Sequence, residues 1–193
     1  KAWAGSGDTA TEKFWFELLD TAGATEFLGY DKDLAEGQVK AIIKDGKLVS
    51  EAKDGESVLV VLNQTPFYAE SGGQVGDTGK LVSGKVTLSV TDTQKKLGKL
   101  FAHVGTVSGG TLKIGDAVEA VVDVARRATI KAHHSVTHLL HEALRQTLGD
   151  HIAQKGSLQS ADRTRFDVSH NASMTPEQLA KVEAMVNDEI WAD

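Results

Sequence analysis

Between residues 39 and 124 the chain breaks into six short runs rich in β-branched and aliphatic residues: VKAII, KLVSE, SVLVVLNQ, KVTLSVTD, LFAHVGTV and DAVEAVVDV. Turn signals part them at Asp45-Gly46, Asp54-Gly55, Ser83-Gly84 and Gly109-Gly110. Strands this short and this evenly spaced must share one core and must not leave long open edges. A small antiparallel barrel meets both demands. Helical periodicity appears only before and after this region. The fold class expected is therefore α+β: an N-terminal helix, a small antiparallel β-barrel, then long helices.

The opening GSGDTATEKFWFELLDTAGATEF reads as a single helix. Thr9 with Glu12 forms a capping box, Phe14, Leu18 and Leu19 form an apolar stripe, and Gly23 is the expected stop. After Arg126 the helical pattern returns, with a long periodic stretch over 129–149 and a last helix in TPEQLAKVEAMVNDEI. There Thr175 is the expected N-cap, Pro176 the first helical residue and Gln178 the closing residue of the box. Leu179, Val182, Val186 and Ile190 are its expected buried stripe.

The 193 residues carry a net charge of −6 and no cysteine. That excludes a disulfide framework and a thiolate-rich zinc finger, and it suits a reducing, cytoplasmic setting. No apolar run reaches membrane-spanning length and no signal peptide is visible. Charge is unevenly placed: residues 126–165 hold seven Lys or Arg against three Asp or Glu. An anionic partner such as a phosphate backbone could be steered to that block, although a chance fluctuation would look the same.

Inside that block lies KAHHSVTHLLHEALR, residues 131–145. Taking His134 as zero on a helical wheel, His138, His141 and Arg145 fall at about 40°, −20° and 20°, with Thr137 near 300°. Val136, Leu140, Ala143 and Leu144 fall on the far side, so the histidines sit away from the core-facing stripe. Two histidines four apart can reach one metal ion, while exposed unligated histidines are the plain alternative. The zinc-protease pattern is excluded, because Ser135 stands where a glutamate must follow the first histidine.

Two further stretches could carry chemistry. TPFYAESGGQVGDTG, residues 65–79, could bring backbone N–H groups close to a ligand, or could equally be a barrel corner. QKGSLQSADRTRFDVSH offers Gln154 as a bidentate hydrogen-bonding group, with Arg163 and Arg165 suited to phosphates; it also reads as a solvated hairpin.

Taken in order, EFLGY, TPFYAESGGQVGDTG, HSVTHLLHEALR, QKGSL and RFDVSHN resemble the bacterial-type alanyl-tRNA synthetase family across essentially the whole chain. KAWAGSGD is similar to that family's linker after its tRNA-recognition helices. The resemblance implies a linker helix at 1–25, a translation-factor-like barrel at 26–125, and the first part of an α/β editing domain at 126–193. It also implies that the chain is an internal piece, cut before a second zinc motif of one Cys and one His. His134 and His138 match the family's zinc ligands, so the zinc site would be incomplete here. Thr137 and Gln154 match catalytic-pocket residues, and Gly72, Gly73, Gln74 and Asp77 match the glycine-rich loop facing the editing cleft. Arg126, Arg127, Arg145, Arg163 and Arg165 are the candidates for tRNA contact.

The implied reaction is hydrolysis of serine or glycine wrongly esterified to the tRNA for alanine. An alanine pocket cannot strongly exclude glycine, and it discriminates only modestly against an added hydroxyl, so a second site is required. ATP and magnesium would serve an aminoacylation domain outside these residues. Partners expected are the alanine tRNA and its esterified alanine, serine or glycine, with no membrane; a homodimer would cover an apolar face left open. Competing expectations are a free-standing editing hydrolase and a non-catalytic tRNA-binding module.

Overall fold

The computed structural model of the chain describes residues 6–192, with side chains described from residue 11 onward. The linker reading of KAWAGSGD falls largely on residues 1–5, outside the described residues. Helix α1 spans Ser6–Ala22. It begins earlier than expected, so Thr9 lies within it rather than at its N-cap. Its end is as read: Gly23 takes φ 76° and donates its N–H to the Leu19 carbonyl at 3.0 Å.

The main sheet has seven strands: β1 (Leu34–Lys44), β2 (Lys47–Val49), β3 (Ser57–Leu62), β4 (Gly79–Ser83), β5 (Val86–Lys96), β6 (Leu100–Ser108) and β7 (Ala117–Val122). Around the sheet the order is β1, β3, β6, β5, β4, β7, and β7 pairs back onto β1, closing a six-stranded antiparallel barrel. The expected barrel is present with one exchange of staves. KLVSE supplies only β2, a short hairpin continuation of β1 through Asp45 and Gly46, which both take positive φ (50° and 74°). The sixth stave is β4, whose GKLVS hides a fully buried Leu81 directly behind the glycine-rich stretch.

Two apolar clusters explain why the strands read as continuous hydrophobic runs. Val39, Ile42, Val60, Leu62, Leu81, Leu88 and Phe67 fill the barrel. Ala41, Ile43 and Val61, the alternate positions, point outward and are covered by Trp15 and Leu18 of α1. A buried polar cluster around His103 interrupts the core. The His103 Nδ1–H donates to the Val60 carbonyl (2.9 Å), which leaves Nε2 to accept from the Thr65 hydroxyl (2.8 Å). Burial lowers the His103 pKa to about 4, so the ring is neutral.

The chain divides into two compact units: one runs through residue 71 and resumes over 76–124, the other joins 72–75 to the residues from 125 onward. The second unit holds helix α2 (Val124–Leu148), the hairpin β8 (Gln154–Gln159) and β9 (Thr164–Val168), and helix α3 (Pro176–Ala192). Ala143, Leu144, Ile152 and Val182 form its core. The capping box of α3 is formed: Thr175 N–H donates to Gln178 Oε1 (2.9 Å) and Gln178 N–H to Thr175 Oγ1 (3.2 Å). Its buried stripe is narrower than expected. Val182 is buried, Met185 and Val186 are half-buried, and Leu179 and Ile190 are 49% and 44% exposed. A two-stranded hairpin and one helix offer too little surface to cover a full helical face. Among the described residues no helix is long and apolar enough to cross a membrane.

Candidate functional site

Helix α2 turns His134, Thr137, His138 and His141 toward a cleft of about 110 Å³, lined also by Gly72, Gln154, Ser157, Gln159 and Phe166. Alternation along β8 places Ser157 and Gln159 on one face, and Gln154 would fall on the other. A register irregularity between Gln154 and Gly156 removes that conflict, so three side chains of one strand line one cleft.

The edge of β8 is completed by the glycine-rich segment. Gln159 N–H donates to the Gly73 carbonyl (2.9 Å) and Val75 N–H donates to the Gln159 carbonyl (3.1 Å), making a parallel bridge between Gln74 and Gln159. Gly73 has φ 87°, and a Cβ there would meet Ser157 Oγ at 2.4 Å and its carbonyl oxygen at 2.6 Å. Only glycine fits.

Hydrogen bonds fix the cleft's floor. Thr137 Oγ1 donates to the His133 carbonyl at 2.9 Å and receives the Gln159 side-chain N–H at 3.2 Å. His133 Nδ1–H in turn donates to the Ser160 carbonyl (2.6 Å), tying α2 to the hairpin. Gln154 Nε2 donates to Ser157 Oγ at 3.2 Å. Among the described residues, three buried side-chain polar atoms have no hydrogen-bond partner: His134 Nδ1, His141 Nε2 and Gln159 Oε1. All three residues line this cleft. Each such atom costs roughly 1–3 kcal/mol when left unmade, and their convergence makes this cleft the candidate binding site.

Zinc takes a tetrahedral shell of nitrogen, sulfur or oxygen ligands. His134 and His138 bring their ring centroids to 5.3 Å, and the unpartnered His134 Nδ1 is a nitrogen without competing duty. Two imidazoles fit half of a tetrahedral shell. Among the described residues no group of three or more His, Cys, Asp or Glu side chains could hold a metal ion, so remaining ligands would have to come from elsewhere.

The other expected site residues are scattered. Gly72, Gly73 and Gln74 belong to the second unit with the histidines. Asp77 belongs to the first, where it is buried, accepts the Tyr68 N–H at 2.7 Å and serves the barrel. Arg145 is gripped by Glu142 and Asp150, and its guanidinium lowers the Glu142 pKa to about 2. Arg165 pairs with Asp167 at 3.2 Å, Arg127 is buried, Arg126 is half-buried and Arg163 is exposed. Much of the basic block is thus neutralised or withdrawn locally.

Sequence reasoning passed over His141, Ser157, Gln159 and Phe166. His141 was legible, since the wheel set it beside His134. Gln159 and Ser157 were not, because the irregularity in β8 decides which of its residues share a face.

A model of the family described as class II tRNA synthetases (A) matches residues 1–126. The chain is 60% identical over 187 residues to the alanine–tRNA ligase of Rhodopseudomonas palustris, covering 97% of this chain and 21% of that protein. It is 59% identical over 189 residues to the alanine–tRNA ligase of Bradyrhizobium diazoefficiens, with the same two coverages. Against the Rhizobium meliloti alanine–tRNA ligase it is 59% identical over 186 residues, 96% of this chain. The chain therefore spans about one fifth of the length of the curated relatives it matches. With a matching model over nearly two thirds of its residues, the chain belongs to the class II tRNA synthetase (A) family.

Proposed function

We propose that this chain acts as part of an alanine–tRNA ligase, in the portion that hydrolyses serine or glycine wrongly esterified to the alanine tRNA. The observation that carries the ligase reading is 59–60% identity over nearly the whole chain to three alanine–tRNA ligases. What supports the proofreading part is the cleft, where three unpartnered buried polar atoms and the Thr137 hydroxyl surround a space suited to a small polar acyl group. Hydrolysis there breaks the acyl C–O bond of the ester; the water oxygen ends in the amino-acid carboxylate and the ribose oxygen takes a proton. Thr137 and Gln154 orient the acyl group by hydrogen bonding. His134 and His138 are the residues that would hold zinc, together with ligands from outside these residues. When bound, the ion adds positive charge beside the ester. The exposed Arg163 is suited to a tRNA phosphate. ATP and magnesium belong to the ligation step elsewhere in such a ligase, and the setting is the cytoplasm, where tRNA is charged.

The test uses the full-length protein that carries this segment. With His134→Ala and His138→Ala together, hydrolysis of seryl-tRNA is expected to fall by about two orders of magnitude or more while alanine attachment stays unchanged. Equal loss of both activities, or no loss of hydrolysis, overturns the proposal.

A further inference from the structure

Gln159 is 1% exposed, and both ends of its carboxamide are accounted for differently. The amide nitrogen donates to Thr137 Oγ1 at 3.2 Å. That direction is forced, because the Thr137 O–H is already committed to the His133 carbonyl at 2.9 Å and can only accept from Gln159. The carboxamide oxygen is consequently turned the other way, buried and without a partner, in the wall of the cleft. The residue cannot swing aside to find water. Its N–H is held by Gly73 and its carbonyl by Val75 on one edge, and it pairs with Thr164 across the hairpin on the other.

A buried carboxamide oxygen is an acceptor only, so it is satisfied by a hydrogen-bond donor and by nothing else. A methyl group or a hydrogen atom in its place leaves the desolvation cost standing. Resting on the proofreading reading above, we infer that Gln159 is a specificity-determining residue: its Oε1 accepts the side-chain hydroxyl of a seryl ester, which alanyl and glycyl esters lack. Thr137, with one lone pair still open after binding Gln159 and His133, stands beside it as a second contact for that hydroxyl. The pair would then form one recognition element, in which Gln159 also holds Thr137 in its rotamer. The α-ammonium group is the other donor of such an ester, but serine, glycine and alanine share it, so an acceptor spent on it would confer no preference.

The experiment compares Gln159→Met and Gln159→Glu in the full-length protein, measuring hydrolysis of seryl- and glycyl-tRNA separately. Gln159→Met keeps the shape and removes the acceptor; the seryl rate is expected to fall about tenfold to a hundredfold relative to the glycyl rate. Gln159→Glu, whose neutral carboxyl can donate O–H to Thr137 and offer its carbonyl oxygen to the cleft, is expected to retain the preference for serine. An unchanged ratio in the Met variant overturns the inference. Should the Met variant lose both activities, the Glu variant decides: retained serine preference supports the inference, and a lost one overturns it. Failure of the underlying reading is distinct, because then the unsubstituted protein itself does not hydrolyse seryl-tRNA or does so without need of His134 and His138.

Discussion

Inside the barrel, His103 gives its one N–H to Val60 and receives the Thr65 hydroxyl, and Thr65 also accepts the Phe67 N–H at 3.2 Å. The buried Thr93 donates to the Asp77 carbonyl, and the buried Thr25 to the Leu62 carbonyl. In the histidine cleft of the second unit, His134, His141 and Gln159 each keep a buried polar atom with no partner. Both regions bury polar side chains, yet one closes every such contact just named and the other leaves three open. A scaffold gains from satisfied groups, because an unmade hydrogen bond in low dielectric is expensive. A binding site needs the opposite, since the open valence is what a ligand completes. The difference sets the cleft apart from the scaffold without reference to any relative.

The largest effect expected belongs to the edge of the cleft. Gly73→Ala would force a Cβ into the Ser157 backbone at a left-handed φ of 87°, costing about 4 kcal/mol or more from local strain and displacement of β8. Amide exchange at Gln159 and Val75 reads this directly; unchanged protection there would show that the segment is not pinned as described.

Next come matched histidine replacements, one in each region. His103→Leu leaves Thr65 and Val60 without their buried partner and is expected to cost about 3 kcal/mol in urea unfolding. The same histidine makes the barrel acid-sensitive. Its folded pKa of about 4 lies below the unfolded 6.5, so between these values the unfolded chain binds more protons. The stabilisation is complete above about pH 6.5 and is lost as pH falls toward 4, by about 3 kcal/mol. The Leu variant should lack that share of the acid dependence, and an identical pH slope in both proteins would refute the neutral buried ring.

The smallest effect is the most diagnostic. His141→Leu removes an atom that already lacks a partner, and stability should change by less than about 1 kcal/mol. A loss as large as that of His103→Leu would mean that His141 is structural, and the contrast between barrel and cleft would fail.

Much of the fold was legible because it depends on local rules. Gly23 ends α1 since a left-handed C′ position favours glycine, and Thr175 with Gln178 opens α3 since a helix start leaves N–H groups unmet. The barrel followed from strand texture and turns, except that β4 was hidden behind glycines and KLVSE was credited with a stave it does not form. The histidine face followed from helical geometry, and His141 should have been counted with it.

By itself, then, the order of residues determined where α1 ends and α3 begins, that short strands must close on one another, and that His134, Thr137 and His138 share one side of α2. These properties arise from neighbours within a few positions. Tertiary structure alone decided that Gly72–Val75 joins the histidine unit while Asp77 stays with the barrel, that an irregular register turns Gln154 to the same side as Ser157 and Gln159, and that Gln159 leaves an oxygen open. Those outcomes depend on pairings between residues about 10 to 90 positions apart, where burial and hydrogen-bond completion across the fold choose among faces that local propensity leaves equivalent.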